Sequence, residues 1–141
     1  MTQVIIYKNT SGGVTMTIPT PQFLEENTIQ DVKEKDTPDH SIIVERNSLP
    51  QGDDAEFFDA WELNGTTVTV NFTKAQAGRL ARYNEAALLV AQARQLNTAI
   101  GIPNAVNDAT WLAKLEADRA SIASSTTTTQ LLAVQLPTVG A

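Results

Sequence analysis

The chain changes its period at one place, and that change limits what it can fold into. Up to Phe72 the apolar residues come in short β-branched runs or at every second position. From Thr73 they come at steps of three and four. A period of two belongs to a strand with one buried face, and a period of 3.6 belongs to a helix. The expected fold class is therefore α+β: a small antiparallel β-rich domain over 1–72, a helical hairpin over 73–124, and an extended tail over 125–141.

In the first block, "VIIYKN" (4–9) reads as a strand. "TSGG" (10–13) is a turn, because paired glycines accept positive φ at little cost. "VTMTIP" (14–19) alternates, with Val14, Met16 and Ile18 on one face and Thr15 and Thr17 on the other. The pair is expected to form a hairpin with one face in water. "TIQDVKEKD" (28–36) reads as a short helix with Thr28 as N-cap and Asp31 as its capping-box partner; Ile29 and Val32 face the core. "SIIV" opens a third strand. "QGDDAEFFDAWEL" begins as a loop and a helical turn capped by Asp53 or Asp54, and Trp61 and Leu63 start a strand. Asn64-Gly65 predicts a type I′ turn with both residues at its centre. "TTVTVNF" then returns with Val68, Val70 and Phe72 on one face.

Aromatics make up only 6% of the chain, so the few large rings matter. Phe57, Phe58 and Trp61 fall within five positions, and each ring can bury ~150–250 Å². With Val68 and Val70 they are expected to define the core of the first domain.

The second block, "TKAQAGRLARYNEAALLVAQARQLNTAIG", reads as one helix of about 25 residues, capped by Thr73 and stopped by Gly101. Ala86, Leu89, Ala93, Leu96 and Ile100 form an apolar stripe. "ATWLAKLEADRASIA" is a second helix capped by Asn107 or Asp108, with Trp111, Leu112, Leu115 and Ile122 on one face. A short loop between two helices predicts an antiparallel pair. Ser124 to Thr129 is polar and of low complexity, and is expected to be extended or flexible. "QLLAVQLP" has strand composition without a neighbouring strand. It must pair with its own sheet or with another chain's edge. Leu89, Leu96, Trp111, Leu131, Leu132, Val134 and Leu136 are the expected partner-binding residues.

The net charge of −6 is unevenly spread. Residues 1–72 carry twelve acids and four bases (−8), and residues 73–141 carry four acids and six bases (+2). An acidic front repels phosphates, so no nucleic-acid partner is expected. The absence of cysteine excludes disulfides and thiolate metal sites. No apolar stretch approaches the roughly 20 residues that span a bilayer, and no secretory signal is visible. Synthesis in the cytoplasm and no membrane partner are expected.

Catalytic chemistry finds little material. Asp53, Asp54, Glu56, Asp59 and Glu62 crowd ten positions, and paired acids are what glycosidases use. Acids are equally ordinary at a helix start, and beside a buried ring they keep a segment soluble. His40 is the single histidine and has no second ligand for zinc and no triad partner in sequence. "DTPDH" lacks the glycine and glutamate of a calcium loop. "SGG" does not precede a helix, so it is not a phosphate loop. Arg79, Arg82 and Arg94 share one helix, as a solvated face or a docking stripe for an acidic partner. No catalytic residue, cofactor or metal is expected, and the chain does not read as an enzyme.

Several short motifs occur in a recognisable order: "VIIYKN…GGVTMTIPTP", Lys35-Asp36-Thr37-Pro38, Ser48-Leu49-Pro50, Asp59-Ala60-Trp61-Glu62 and Lys74-Ala75. Across residues 3–80 this pattern resembles a family of small tailed-bacteriophage proteins whose members often sit near tail-fibre or baseplate genes. The chain departs from that family in having "PDHSII" where a Gly-x-Pro-Tyr is usual, and in its "STTTT…VGA" tail. The resemblance carries no catalytic residues. It implies a minor virion component or assembly factor of the tail, made in the host cytoplasm. The implied protein binds other phage structural proteins in a multi-copy symmetric assembly. A capsid decoration protein and a non-virion tail-fibre chaperone are the alternatives.

Overall fold

β1 (Gln3–Lys8) lies at the centre of the first sheet because its middle residues, Val4, Ile5 and Ile6, are all apolar and all buried. β2 (Val14–Thr17) flanks it on one side, antiparallel, with Ile6 opposite Met16 and Lys8 opposite Val14. β3 (Ile42–Glu45) flanks it on the other, antiparallel, with Val4 opposite Val44 and Ile6 opposite Ile42. The sheet order is β2-β1-β3. Three consecutive buried residues mean that β1 has no wet face, against the expectation for the first hairpin. Residues at alternate positions point to opposite sides of a strand. Val4 and Ile6 therefore face one layer and Ile5 the other, where α2 (Ile29–Asp36) packs on β1 and β3 with Val32 buried.

α2 starts with the expected capping box: Asp31 N donates to Thr28 Oγ1 at 3.2 Å, and Thr28 N donates to Asp31 Oδ2 at 2.7 Å. A short helix, α1 (Pro21–Leu24), precedes it, started by Thr20 and Pro21. The sequence pattern assigns no element to this stretch.

β4 (Trp61–Asn64) and β5 (Thr67–Val70) form a second, two-stranded antiparallel sheet. Asn64 pairs with Thr67, so the two-residue turn is Gly65-Thr66 and not Asn64-Gly65. Within this turn Gly65 alone has positive φ, at +63°. A loop with a left-handed glycine in first place follows the type II′ pattern. The glycine set the turn, and the asparagine became the last ladder residue.

The main core of the N-terminal unit joins both sheets. It contains Val4, Ile6, Val14, Leu49, Trp61 and Val68, with Met16, Ile42, Val44, Leu63 and Val70 packed around them. Residues Gly52–Ala60 before β4 form 3-10 turns that break at Phe57 (φ −106°, ψ 42°). Gln51 occupies the cap position without a side-chain capping bond, so neither Asp53 nor Asp54 is the cap.

The structure, a computed structural model, describes residues 2–140; Met1 and Ala141 lie outside the described residues. The chain divides into two units between Asn71 and Phe72. It is an α+β protein, with antiparallel strands first and helices after.

The C-terminal unit consists of α3 (Phe72–Ala99), α4 (Asp108–Ser124) and α5 (Thr128–Ala133). α3 begins two residues earlier than a cap at Thr73 would place it, so Thr73 lies inside the helix and Phe72 starts it instead of extending the strand. Beyond it the backbone turns at Gly101, whose φ is +76°, a value glycine takes without strain. Asn107 caps α4, accepting from Thr110 N at 2.8 Å. The tail differs most from expectation. Residues 128–133 are helical, not extended, and no strand forms in 130–137. Thr127 caps α5, accepting from Gln130 N at 3.2 Å, while Gln130 Oε1 accepts from Thr126 N at 2.7 Å. The threonine run is thus a helix start. Leu131 is fully buried, which folds the tail onto α3 and α4.

Candidate partner-binding surface

The inward face of α3 is built from Ala75, Arg79, Tyr83, Ala87, Val90 and Arg94, all buried at steps of four or three. Three of these six are polar, and each reaches a partner that fixes another segment. Arg79 Nη2 donates to the Val134 carbonyl at 2.7 Å and so holds the chain after α5. Tyr83 Oη donates to Asp118 Oδ2 on α4 at 2.6 Å. Arg94 Nη2 donates to the Val106 carbonyl at 2.9 Å and to Asp108 Oδ1 at 2.6 Å, with its guanidinium 4.9 Å from the Trp111 ring centre. Gln76, half-buried on the same side, donates to the Ile122 and Ala123 carbonyls at the end of α4. Long side chains bury their stems and deliver their heads to orphan carbonyls.

Ionisation follows this geometry. Burial raises the Tyr83 hydroxyl pKa, and the hydrogen bond to Asp118 raises it further, against a smaller opposite pull from Arg119. Burial works against the Asp118 carboxylate. The hydrogen bonds from Lys114 and Tyr83, with the Lys114 charge, outweigh it and hold the pKa below its ordinary value. Lys114 Nζ lies 2.6 Å from the same carboxylate oxygen. Burial, then repulsion from Arg82, lowers the Arg79 pKa. An arginine so perturbed still carries its charge.

The stripe expected from periodicity lies on a different face. Leu89 is 59% exposed, Leu96 61% and Ile100 59%, and Leu88 is equally open. Between Glu85 and Asp108 the sequence holds one charged residue, Arg94, and that one is buried and paired. The exposed surface of this half of α3 is therefore uncharged, with Leu88, Leu89, Leu96 and Ile100 set among the neutral side chains of Gln92, Gln95 and Thr98. Apolar residue type alone could not reveal this, because the core positions include two arginines and a tyrosine.

The remaining expected site residues separate. Trp111 is half-buried, stacked under Arg94. Leu131 belongs to the interior and is no contact surface, because α5 packs it inward. Leu132, Val134 and Leu136 are half-buried. Arg79 and Arg94 are neither solvated nor a docking stripe, while Arg82 is exposed. In the N-terminal unit Phe57, Trp61 and Val68 are buried and Val70 is half-buried. Phe58 is 36% exposed and leans on Trp61, with ring centres 4.9 Å apart, so it flanks the core instead of filling it.

The acids near Trp61 form no constellation. Asp53, Glu56 and Asp59 are exposed. The Asp54 carbonyl accepts from Trp61 Nε1 at 3.1 Å, and Glu62 Oε1 accepts from Asn71 Nδ2 at 2.8 Å. His40 Nε2 meets the Lys8 carbonyl at 3.1 Å and its ring stands edge-on to Tyr7, which ties the turn before β3 to β1. Among the described residues no three of His, Cys, Asp and Glu gather as a metal site would require, and no helix is long and apolar enough to cross a membrane. A groove of about 530 Å³ runs along Lys114, Asp118, Ser121, Ser125 and Gln130. Its serine hydroxyls donate to helix carbonyls: Ser121 to Ala117 at 3.0 Å and Ser125 to Ser121 at 2.7 Å.

No protein-family model matches the chain, and neither a curated protein nor a solved structure matches it.

Proposed function

We propose that the chain is a structural or assembly protein of a tailed bacteriophage, a minor tail component that adapts a fibre or baseplate protein. It docks other virion proteins through the outer face of α3. The observation that supports this reading is the uncharged apolar surface of Leu88, Leu89, Leu96 and Ile100. Interfaces lose charge at their centre and cover apolar side chains that would otherwise stand in water. The buried polar clasps beneath hold α3 in place, so the surface is presented on a rigid support. The assignment to a phage tail comes from the motif order across residues 3–80, and the helices and the half-buried Leu132, Val134 and Leu136 are the contact region.

Quantitative mass spectrometry of purified particles, counting this chain against the major capsid protein, tests it. A few to a few dozen copies per particle is the expected result. Hundreds of copies mean a capsid decoration protein. Absence from particles but presence in infected cells means a fibre chaperone.

A further inference from the structure

The C-terminal unit contains a second feature, separate from the exposed face of α3. A cavity of about 260 Å³ opens between α3, α4 and the segment after α5. Its floor is Tyr83, Val90 and Leu115, all buried; its rim includes Thr110 and Lys114, both exposed. Trp111 and Pro137 also line it. We propose that this cavity is a binding site for one small, uncharged, apolar ring compound of about the size of indole.

Volume, chemistry and rigidity each support that class. An apolar cavity of ~150 Å³ stays dry and takes up benzene, so this larger one has room for a fused pair of rings. The lining is carbon almost throughout. The one cation, Lys114, already has Asp118 at 2.6 Å, and the Tyr83 hydroxyl proton goes to the same carboxylate. A ligand carboxylate would compete with Asp118 for Lys114, so a neutral molecule is favoured. Trp111 is held by Arg94 and Tyr83 by Asp118, so two aromatic walls are fixed before any ligand arrives. Preformed apolar clefts with few polar groups are the common form of small-molecule sites.

The test is a titration of the full chain with indole, followed by methyl NMR and thermal melting. Saturable shifts at Val90, Val106 and Leu115, with a Tm that rises with indole concentration, are expected. Benzoate should bind about tenfold more weakly or worse, a difference of ~1.4 kcal/mol. Thr110→Trp, placed at the exposed rim, should block the mouth and abolish the indole shifts while the unliganded protein stays folded. Shifts that do not saturate, or that spread over both units, overturn the site even if the variant fails to fold. A folded Thr110→Trp protein that still binds indole also overturns it. Equal binding of benzoate overturns the uncharged class.

Discussion

Arg94 combines three interactions in one buried side chain, and they are not of equal weight. Asp108 is 83% exposed, so its ion pair at 2.6 Å is screened by water, whereas the bond to the Val106 carbonyl and the Trp111 stack are partly withdrawn from it. Exposed pairs contribute under ~1 kcal/mol, whereas hydrogen bonds from a charged group contribute about 1.5–3 kcal/mol. Asp108→Ala should therefore cost less than ~0.5 kcal/mol, and Arg94→Ala about 2 kcal/mol, in urea unfolding. Equal costs would refute this ranking. Tyr83 and Asp118 make the second residue-scale case. The Asp118 pKa is lowered on folding, so its contribution is complete above the unfolded pKa and is lost as pH falls through the folded one. Asp118→Asn should flatten the loss of stability below about pH 4, and Tyr83→Phe should cost about 1–2 kcal/mol at neutral pH. An unchanged acid limb in Asp118→Asn would sink the assignment. None of this was legible in advance. Arginines on a helix read as surface until the carbonyls they serve are known, and those of Val106 and Val134 lie in segments outside the helices, while the partner of Tyr83 is a carboxylate on α4.

At the scale of elements, local signals predicted what local chemistry decides. The Thr28 capping box, the strand pairs and the stop at Gly101 all follow from short-range rules, and the structure has them. The hairpin turn slipped by one residue because a single glycine at positive φ satisfies a II′ turn as well as Asn-Gly satisfies I′. The tail failed for a different reason. "QLLAVQLP" has strand composition, but the signal that mattered stood just before it: Thr127 followed three residues later by Gln130, a helix-start pattern. Burial then fixed the outcome, because Leu131 finds the interior of the C-terminal unit. Leu131→Ala should cost about 2–4 kcal/mol and lower the Tm of the full chain. A loss under ~0.5 kcal/mol, the range of surface substitutions, would mean that α5 is not docked in solution and that the tail is free for another chain.

For the whole molecule, the change of period at Phe72 is also where the chain divides into two units. The α+β class was readable because each unit has one dominant period. The face that α3 leaves open carries Leu89 and Leu96, which the sequence suggested as partner-binding residues; periodicity reports that such a stripe exists but not whether the chain itself covers it. That distinction supplies the decisive experiment on function. Leu89 and Leu96 are 59% and 61% exposed, so a charge at either position meets water in the isolated protein and should change stability by no more than ~0.5 kcal/mol. In an assembly the same charges would be buried without partners, which costs several kcal/mol. The double variant Leu89→Asp, Leu96→Asp should therefore fold and melt like the parent protein yet be missing from purified particles. If it destabilises the monomer strongly, the chain itself covers the stripe. If it folds normally and still enters particles at parental copy number, the outer face of α3 is not the docking surface, and the contacts must lie elsewhere on the chain.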